Sequence, residues 1–356
     1  MEIVKNETTD KLTDNAEKKE IINELKESNK LNNYYDKEDI IDIENNEETN
    51  DKKNDYNKKL KTKDDLGVRM KEYEHSSLEV TKILPYRPFL VRLDGRSFSK
   101  FTYGLQKPFD LNFTKAMTLT TSDIVQEFSA CTGYTHSDEI TIIFPISCSE
   151  EEFTKNQHKS QHIFDGRVMK ILTVMSGFCS TRFNFHLAKI VNNDEKNYKK
   201  ETLEKINEMR ASFDARLLLI PEDNKKEFLN HMIWRSIFDC ERNAVSTYAR
   251  SKFSQKKLTN LNKKDMIELL KTEGINWETD VPIILKHGVF VKKLEYLIDG
   301  KDGKKAVRTK VTCKAFKIHF DEFYIKLLFD KYWDVSEENS KLFNIVDIDH
   351  EKGFNN

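Results

Sequence analysis

Three short apolar runs, Phe89-Leu90-Val91-Arg92-Leu93, Glu139-Ile140-Thr141-Ile142-Ile143-Phe144 and Phe213 to Pro221, alternate with two stretches whose apolar residues recur at helical spacing. This alternation constrains the fold more than any other feature. Runs this short, β-branched and punctuated by Pro85, Pro88 and Pro145 predict strands. Between them, Phe113, Met117, Ile124 and Phe128 form one stripe over 113–128, and Val168, Ile171, Leu172 and Met175 another over 166–178, so two helices each turn one face inward. The order strand, helix, strand, helix, strand specifies a sheet covered by helices, of α/β or α+β class.

Further on, a long helix is predicted over 225–250, with Leu229, Ile233, Ile237 and Cys240 on one side and Arg235 and Arg242 on the other. A helix over 262–273, a short strand at 288–291 and a hairpin over 296–312, turning around Asp299-Gly300-Lys301-Asp302-Gly303, complete the chain. No Pro/Gly-rich linker interrupts 68–325, which predicts one compact body. Residues 1–65 have no Pro or Gly and hold 13 Lys+Arg against 19 Asp+Glu, a composition unable to bury enough surface to offset the entropy of ordering. A disordered tail is expected there. The rest holds 46 Lys+Arg against 41 Asp+Glu, mildly basic, which permits a local polyanion site without the overall basicity of a protein that coats nucleic acid.

Cys131, Cys148, Cys179, Cys240 and Cys313 are odd in number and include no C-x-x-C pair, which excludes a disulfide scaffold or zinc ribbon and suits a reducing compartment. No run approaches the ~18 apolar residues of a membrane span. Without a secretory or transit signature, a cytoplasmic location is expected, with nucleus and mitochondrion left open.

The chemistry concentrates where strands end. Val91-Arg92-Leu93-Asp94-Gly95 is a strand closing on a carboxylate and a glycine, and Ser137-Asp138-Glu139 leads directly into the second strand. Carboxylates on neighbouring strand ends suit two divalent ions about 4 Å apart, the arrangement of phosphoryl transfer. Magnesium fits because it needs few protein ligands. Lys107 in a loop, Arg167 and Lys170 one helical turn apart, and Arg216 at the head of a strand supply cations for a triphosphate. Singly, each acid is better read as a strand-end or turn residue, and each cation as solvated.

Together, Val91 to Phe101, Lys107-Pro108 with Asp110, and Ser137-Asp138-Glu139, in this order and spacing, resemble the signature of the tRNA-His guanylyltransferase family. The likeness continues through 164–178, 213–221, 234–243 and 287–292. It implies an α+β fold with a polymerase palm-like antiparallel sheet backed by helices over 68–222. A helical and hairpin C-terminal part over 223–356 would pack on that catalytic domain, and a disordered tail over 1–67 would precede it. It also implies a homo-tetramer acting on tRNA with ATP, GTP and other NTPs. The RNA 5′ phosphate is activated by a nucleoside triphosphate and then attacked by the 3′-hydroxyl of an incoming nucleotide.

Carried over by position, Asp94 and Asp138 are the catalytic metal ligands, with the Gly95 carbonyl as third ligand for two Mg²⁺. Asp94, Gly95, Arg96, Ser97, Phe98 and Ser99, with Ser137 and Asp138, line the nucleotide site, and Lys107 contacts phosphate. Arg92, Arg167, Lys170, Arg216 and Asn243 serve the triphosphate and the tRNA 5′ end. The sequence departs from the family at Glu241-Arg242-Asn243-Ala244, where guanylyltransferases proper carry His-Ile-Asn-Asn. That departure resembles the guanylyltransferase-like branch, which repairs tRNA 5′ ends by templated 3′-to-5′ addition. Non-templated guanylylation, a nucleotidyl cyclase and an inactive tRNA-binding protein are the alternatives.

Other signals point to structure. His158 and His162 stand four apart but read as a surface pair rather than zinc ligands, since no acidic third ligand is near in sequence. His136 reads as a turn-shaping residue and Cys240 as core. The absence of G-x-x-x-x-G-K-[ST] disfavours a P-loop NTPase.

Overall fold

A computed structural model describes residues 66–220, 225–299, 305–333 and 337–348. The expected tail over 1–65 and the tip of the hairpin at 300–304 lie outside the described residues. Seven strands form one sheet in the order β4-β1-β3-β2-β5-β6-β7. They are β1 (Phe89–Gly95), β2 (Thr132–His136), β3 (Glu139–Phe144), β4 (Phe213–Leu219), β5 (Val289–Asp299), β6 (Lys305–Ala315) and β7 (Val346–Ile348). Every pairing is antiparallel, which resolves the class as α+β.

Seven helices matter to the architecture: α1 over 66–76, α2 (Leu111–Glu127), α3 (Val168–Asn192), α4 (Lys225–Ile233), α5 (Cys240–Lys252), α6 (Lys263–Lys271) and α7 (Glu322–Phe329). Among the described residues, no helix is long and apolar enough to cross a membrane.

Strand alternation sorts the residues of β1 onto two faces. Phe89, Val91 and Leu93, with Ile140, Ile142 and Phe144 of β3, join Met117, Ile124, Met175, Cys179 and Phe183 of α2 and α3 in the largest core. This face of the sheet is apolar because two helices cover it. On the other face, Leu90, Ile143 and Leu218 pack under Phe228, Leu229 and Met232 of α4 and Leu328 of α7. Along that same face, past the apolar end, the side chains become charged. A third cluster holds Ala244, Val245, Leu270 and Trp277 around α5 and α6.

Several sequence expectations need correcting. β2 is a strand that the periodicity missed, because Gly133 interrupts its pattern and its other polar residues are buried. The helix over 166–178 runs on to Asn192, and the strand at 288–291 extends to Asp299 as one arm of the expected hairpin. The helix over 225–250 is not uniform: Trp234–Asp239 form a π-helical turn between α4 and α5. Arg235 lies one ordinary helical turn on from the buried His231 and Met232 and points inward with them. His162 is buried rather than on the surface. Its Nδ1 bonds Ser147 Oγ at 2.9 Å, its Nε2 bonds the Arg87 carbonyl at 2.8 Å, and its ring packs edge-on against Phe89. With both ring nitrogens occupied it has none to offer a metal.

Candidate active site

The site forms where β1, β2 and β3 end together. Asp94 of β1 sits across from Glu139 on one side and Asp214 on the other, while Ser137-Asp138 make the two-residue hairpin loop joining β2 to β3. Ser137 adopts the left-handed conformation that such a loop requires, with φ of 47°. The Gly95 amide donates to the Asp138 carbonyl at 3.0 Å, so the two motifs are stitched together through their backbones. The Ser137 hydroxyl donates to Asp138 Oδ1 at 3.0 Å.

Gly95 has a packing reason to be glycine: a Cβ there would meet the Phe98 ring at 2.5 Å. Phe98 thereby tucks into the core, while Arg96, Ser97 and Ser99 remain exposed beside the carboxylates.

The acids are treated unequally. Burial alone would push the Glu139 carboxyl up, but Arg235 foremost, with Arg92, holds it down to about 2. Arg235 Nε donates to Glu139 Oε1 at 2.6 Å, and its other nitrogens bond Glu139 Oε2 and Asp239. Glu139 is thus a permanently charged, paired anchor at the start of β3. Among the described residues no cation forms an ion pair with Asp94, and Arg92 only partly offsets its neighbours. Burial first, then the Glu139 and Asp138 carboxylates, raise its pKa from 3.8 to about 6, and burial raises that of Asp138 as well. Crowded carboxylates in short supply of cations are a donor set that a divalent ion relieves. Among the described residues no cluster of three or more side-chain ligands stands together, so a divalent ion at Asp94 and Asp138 would take its remaining ligands from the backbone, substrate or water.

The structure brings together Asp94, Gly95, Ser137 and Asp138. It also brings Lys107, Ser137 and Asn243 onto the wall of one cavity of about 220 Å³, whose apolar surface comes from Phe109, Phe113, Met117 and Leu285. Ser137 is common to both groups, so cavity and carboxylates adjoin. Asp110 anchors the loop bearing Lys107: its carboxylate accepts from the Gln106 and Phe113 amides and the Tyr198 hydroxyl, each at 3.0 Å. His136 also lines the cavity. Burial pushes its pKa down to about 4, so its imidazole is neutral.

Of the other sequence-named cations, Arg92 and Arg216 border the carboxylates, Arg92 Nε lying 3.9 Å from Glu139 and Arg216 Nε 3.5 Å from Asp214. Arg92 is buried on β1, and both it and Arg216, opposite it on β4, bond Glu74 of α1 at 3.3 and 3.2 Å. Arg167 and Lys170 meet around Phe164 at the start of α3, Arg167 donating to its carbonyl at 3.2 Å and Lys170 lying 5.0 Å from its ring centre. Sequence reasoning missed Glu74, Asp214, Arg235 and Asp239. The one available signal was Glu139, an acid at the head of an otherwise apolar strand, which demands a buried cation.

An antiparallel sheet backed by helices, with carboxylates at adjoining strand ends next to a cavity, is the fold of a palm-like nucleotidyltransferase. A family model described as tRNAHis guanylyltransferase matches residues 67–221. The chain is 42% identical over 275 residues to an uncharacterised protein of Acanthamoeba polyphaga mimivirus, covering 76% of this chain and 91% of that one. A probable tRNA-His guanylyltransferase of Drosophila melanogaster is 26% identical, over 66% of this chain and 77% of its own length. Among solved structures, a bacterial tRNA-His guanylyltransferase-like protein in complex with ATP superposes with a TM-score of 0.52 at 27% identity, covering 74% of this chain and 99% of that one. The chain belongs to the tRNA-His guanylyltransferase family of nucleotidyltransferases.

Proposed function

We propose that this protein is a magnesium-dependent tRNA 5′-end nucleotidyltransferase that adds nucleotides in the 3′-to-5′ direction, following a template. The observation that carries the reading is the juxtaposition of Asp94 and Asp138, short of cations, with the cavity that holds Lys107, Ser137 and Asn243. Magnesium bound by Asp94, Asp138 and the Gly95 carbonyl would supply charge neutralisation for the reacting phosphates. The apolar cavity wall suits the flat face of a nucleotide base, and Lys107, on the same wall, would meet its phosphates. Glu139, fixed by Arg235, holds the hairpin that presents Asp138.

Templated addition, rather than obligate guanylylation, is supported by the start of α5. Glu241 is tied to Lys263 at 2.8 Å and Arg242 to Asp239 at 3.0 Å, leaving Asn243 as the member of Glu241-Arg242-Asn243 that lines the cavity. A tetramer working on cytoplasmic tRNA completes the reading by family likeness.

The test is incorporation by purified protein with Mg²⁺ and all four NTPs on a tRNA lacking its first nucleotide, varying the base opposite the gap. The added nucleotide should follow that base. Guanosine added regardless would return the protein to non-templated guanylylation, and bound tRNA without addition would mark an inactive binding protein.

A further inference from the structure

His136 closes β2 and lines the cavity, where the residue is only 7% exposed. Its ring packs against Tyr134 with the ring centres 5.5 Å apart, yet Nδ1 is buried with no hydrogen-bond partner among the described residues. Leaving such a nitrogen unpaired is costly. Other buried polar side chains of the same wall are spent inside the fold: Asp110 accepts from the Gln106 and Phe113 amides at 3.0 Å, and Thr135 donates to the Glu139 carbonyl at 2.9 Å. The nearby Glu139 and Asp239 are committed to Arg235. A neutral imidazole offers one donor and one acceptor, and the edge it turns to the cavity follows the partner it finds. The cavity is where a partner for this ring would arrive.

The register of the sheet indicates which part of a nucleotide that partner is. Glu139 stands opposite Asp94 on one side and His136 on the other, so these residues form one row across the sheet and point to the same face. His136 is two strand spacings, about 10 Å, from Asp94. Phosphates belong at the end marked by Asp94, Asp138 and Lys107, and a base belongs against the apolar wall that Phe113 and Met117 help to form. The sugar lies between them. A base edge is an unsuitable target for His136, since in templated addition that edge must stay free to pair with the opposing base.

We propose that the His136 imidazole hydrogen-bonds a ribose hydroxyl of the nucleotide held in this cavity, and so selects an intact ribose over a deoxyribose whatever the base. This contact presupposes the nucleotide site proposed above and adds to it the group that reads the sugar. A hydroxyl is donor and acceptor at once, so it can meet either nitrogen of the ring. A nucleotide lacking that hydroxyl leaves His136 buried and unpaired, the mismatch by which a polar site rejects an analogue. One contact to the sugar serves all four nucleotides, as following a template demands.

Equilibrium binding of ATP, 2′-deoxy-ATP and 3′-deoxy-ATP to the full-length chain tests this, with calcium in place of magnesium so that binding is read without transfer. Removing one of the two hydroxyls should weaken wild-type binding about tenfold, the loss of one hydrogen bond. His136→Ala should bind ATP about tenfold more weakly and no longer distinguish the sugars, with the same loss for CTP. His136→Gln, which keeps a donor and an acceptor, should retain part of the discrimination. Equal binding of all three nucleotides by the wild type overturns the proposal and needs no variant. So does an alanine variant that weakens ATP and both deoxy analogues alike, which would make His136 a packing or base contact. If ATP itself does not bind, the proposed function falls as well, whereas ATP bound without regard to its sugar removes only the role of His136.

Discussion

Leu93 and Asp94 are neighbours on β1, yet they belong to different energetic regimes. Leu93 faces α2 and α3 and belongs to the largest apolar core of the chain. Asp94 faces the other way, toward Glu139, Asp138 and Asp214, where charge accumulates faster than the arginines neutralise it. The first face is consistent at every level, as a face selected for stability should be. The second resembles it only in part: Glu139 is fully paired, whereas Asp94 and Asp138 are left short of a cation. On the proposed reading, uncompensated charge beside paired charge separates the residues that would serve the chemistry from those that hold them.

The comparison breaks first on chemistry. Asp138→Asn should lower nucleotide addition by about 10³-fold, a barrier change of about 4 kcal/mol, while the melting temperature holds or rises. Loss of activity in step with loss of fold would erase the distinction between the faces. Next comes the paired anchor. Arg235→Met leaves buried Glu139 with only Arg92, 3.9 Å away, as counter-charge, which should cost about 3–5 kcal/mol in denaturant unfolding. Adding Glu139→Gln should restore most of that stability. If the single variant unfolds like the wild type, Arg235 is not the counter-charge that its contacts make it.

Leu93→Ala should cost about 2–5 kcal/mol of stability, yet activity per folded molecule should stay within a few-fold of wild type when assayed well below the melting point. A large loss in the folded fraction would show that the apolar face positions the chemistry after all.

How far each face could be read from sequence follows from the same contrast. Burial on the α2 and α3 side leaves a periodic signature, so Phe113, Met117, Ile171 and Met175 were legible from spacing alone, as were the strands that flank them. Asp94 and Asp138 stood out because acids closing apolar strands are chemically unusual. The cations were harder. Arg235 reads as solvent-facing because a cation is ordinarily assigned to the polar side of a helix, although it lies one turn on from buried His231, and Glu74 of α1 claims both Arg92 and Arg216. β2 was hidden by Gly133 and by buried polar residues whose partners come from other elements. Local pattern reports local structure, while charge pairing across the fold is a property of the assembled chain.

The finest test concerns Asp94 alone. Its pKa lies above the ordinary 3.8, at about 6, so the folded state holds this proton more tightly than the unfolded chain does. Ionising it therefore costs stability: the cost is absent below the unfolded pKa, grows as pH rises through about 6, and is complete above it. Asp94→Asn removes the charge and should melt higher than the wild type at about pH 8 in chelator, with the gap closing toward about pH 4. A fully buried carboxylate shifted this far would give about 3 kcal/mol. Asp94 is partly exposed, and solvent screening brings the expected gain to about 1 kcal/mol. Adding Mg²⁺ at the higher pH should narrow the gap, because the cation stabilises only the wild-type carboxylate. A gap independent of pH would mean that the asparagine acts through packing, and that the charged face is better compensated than its neighbours indicate.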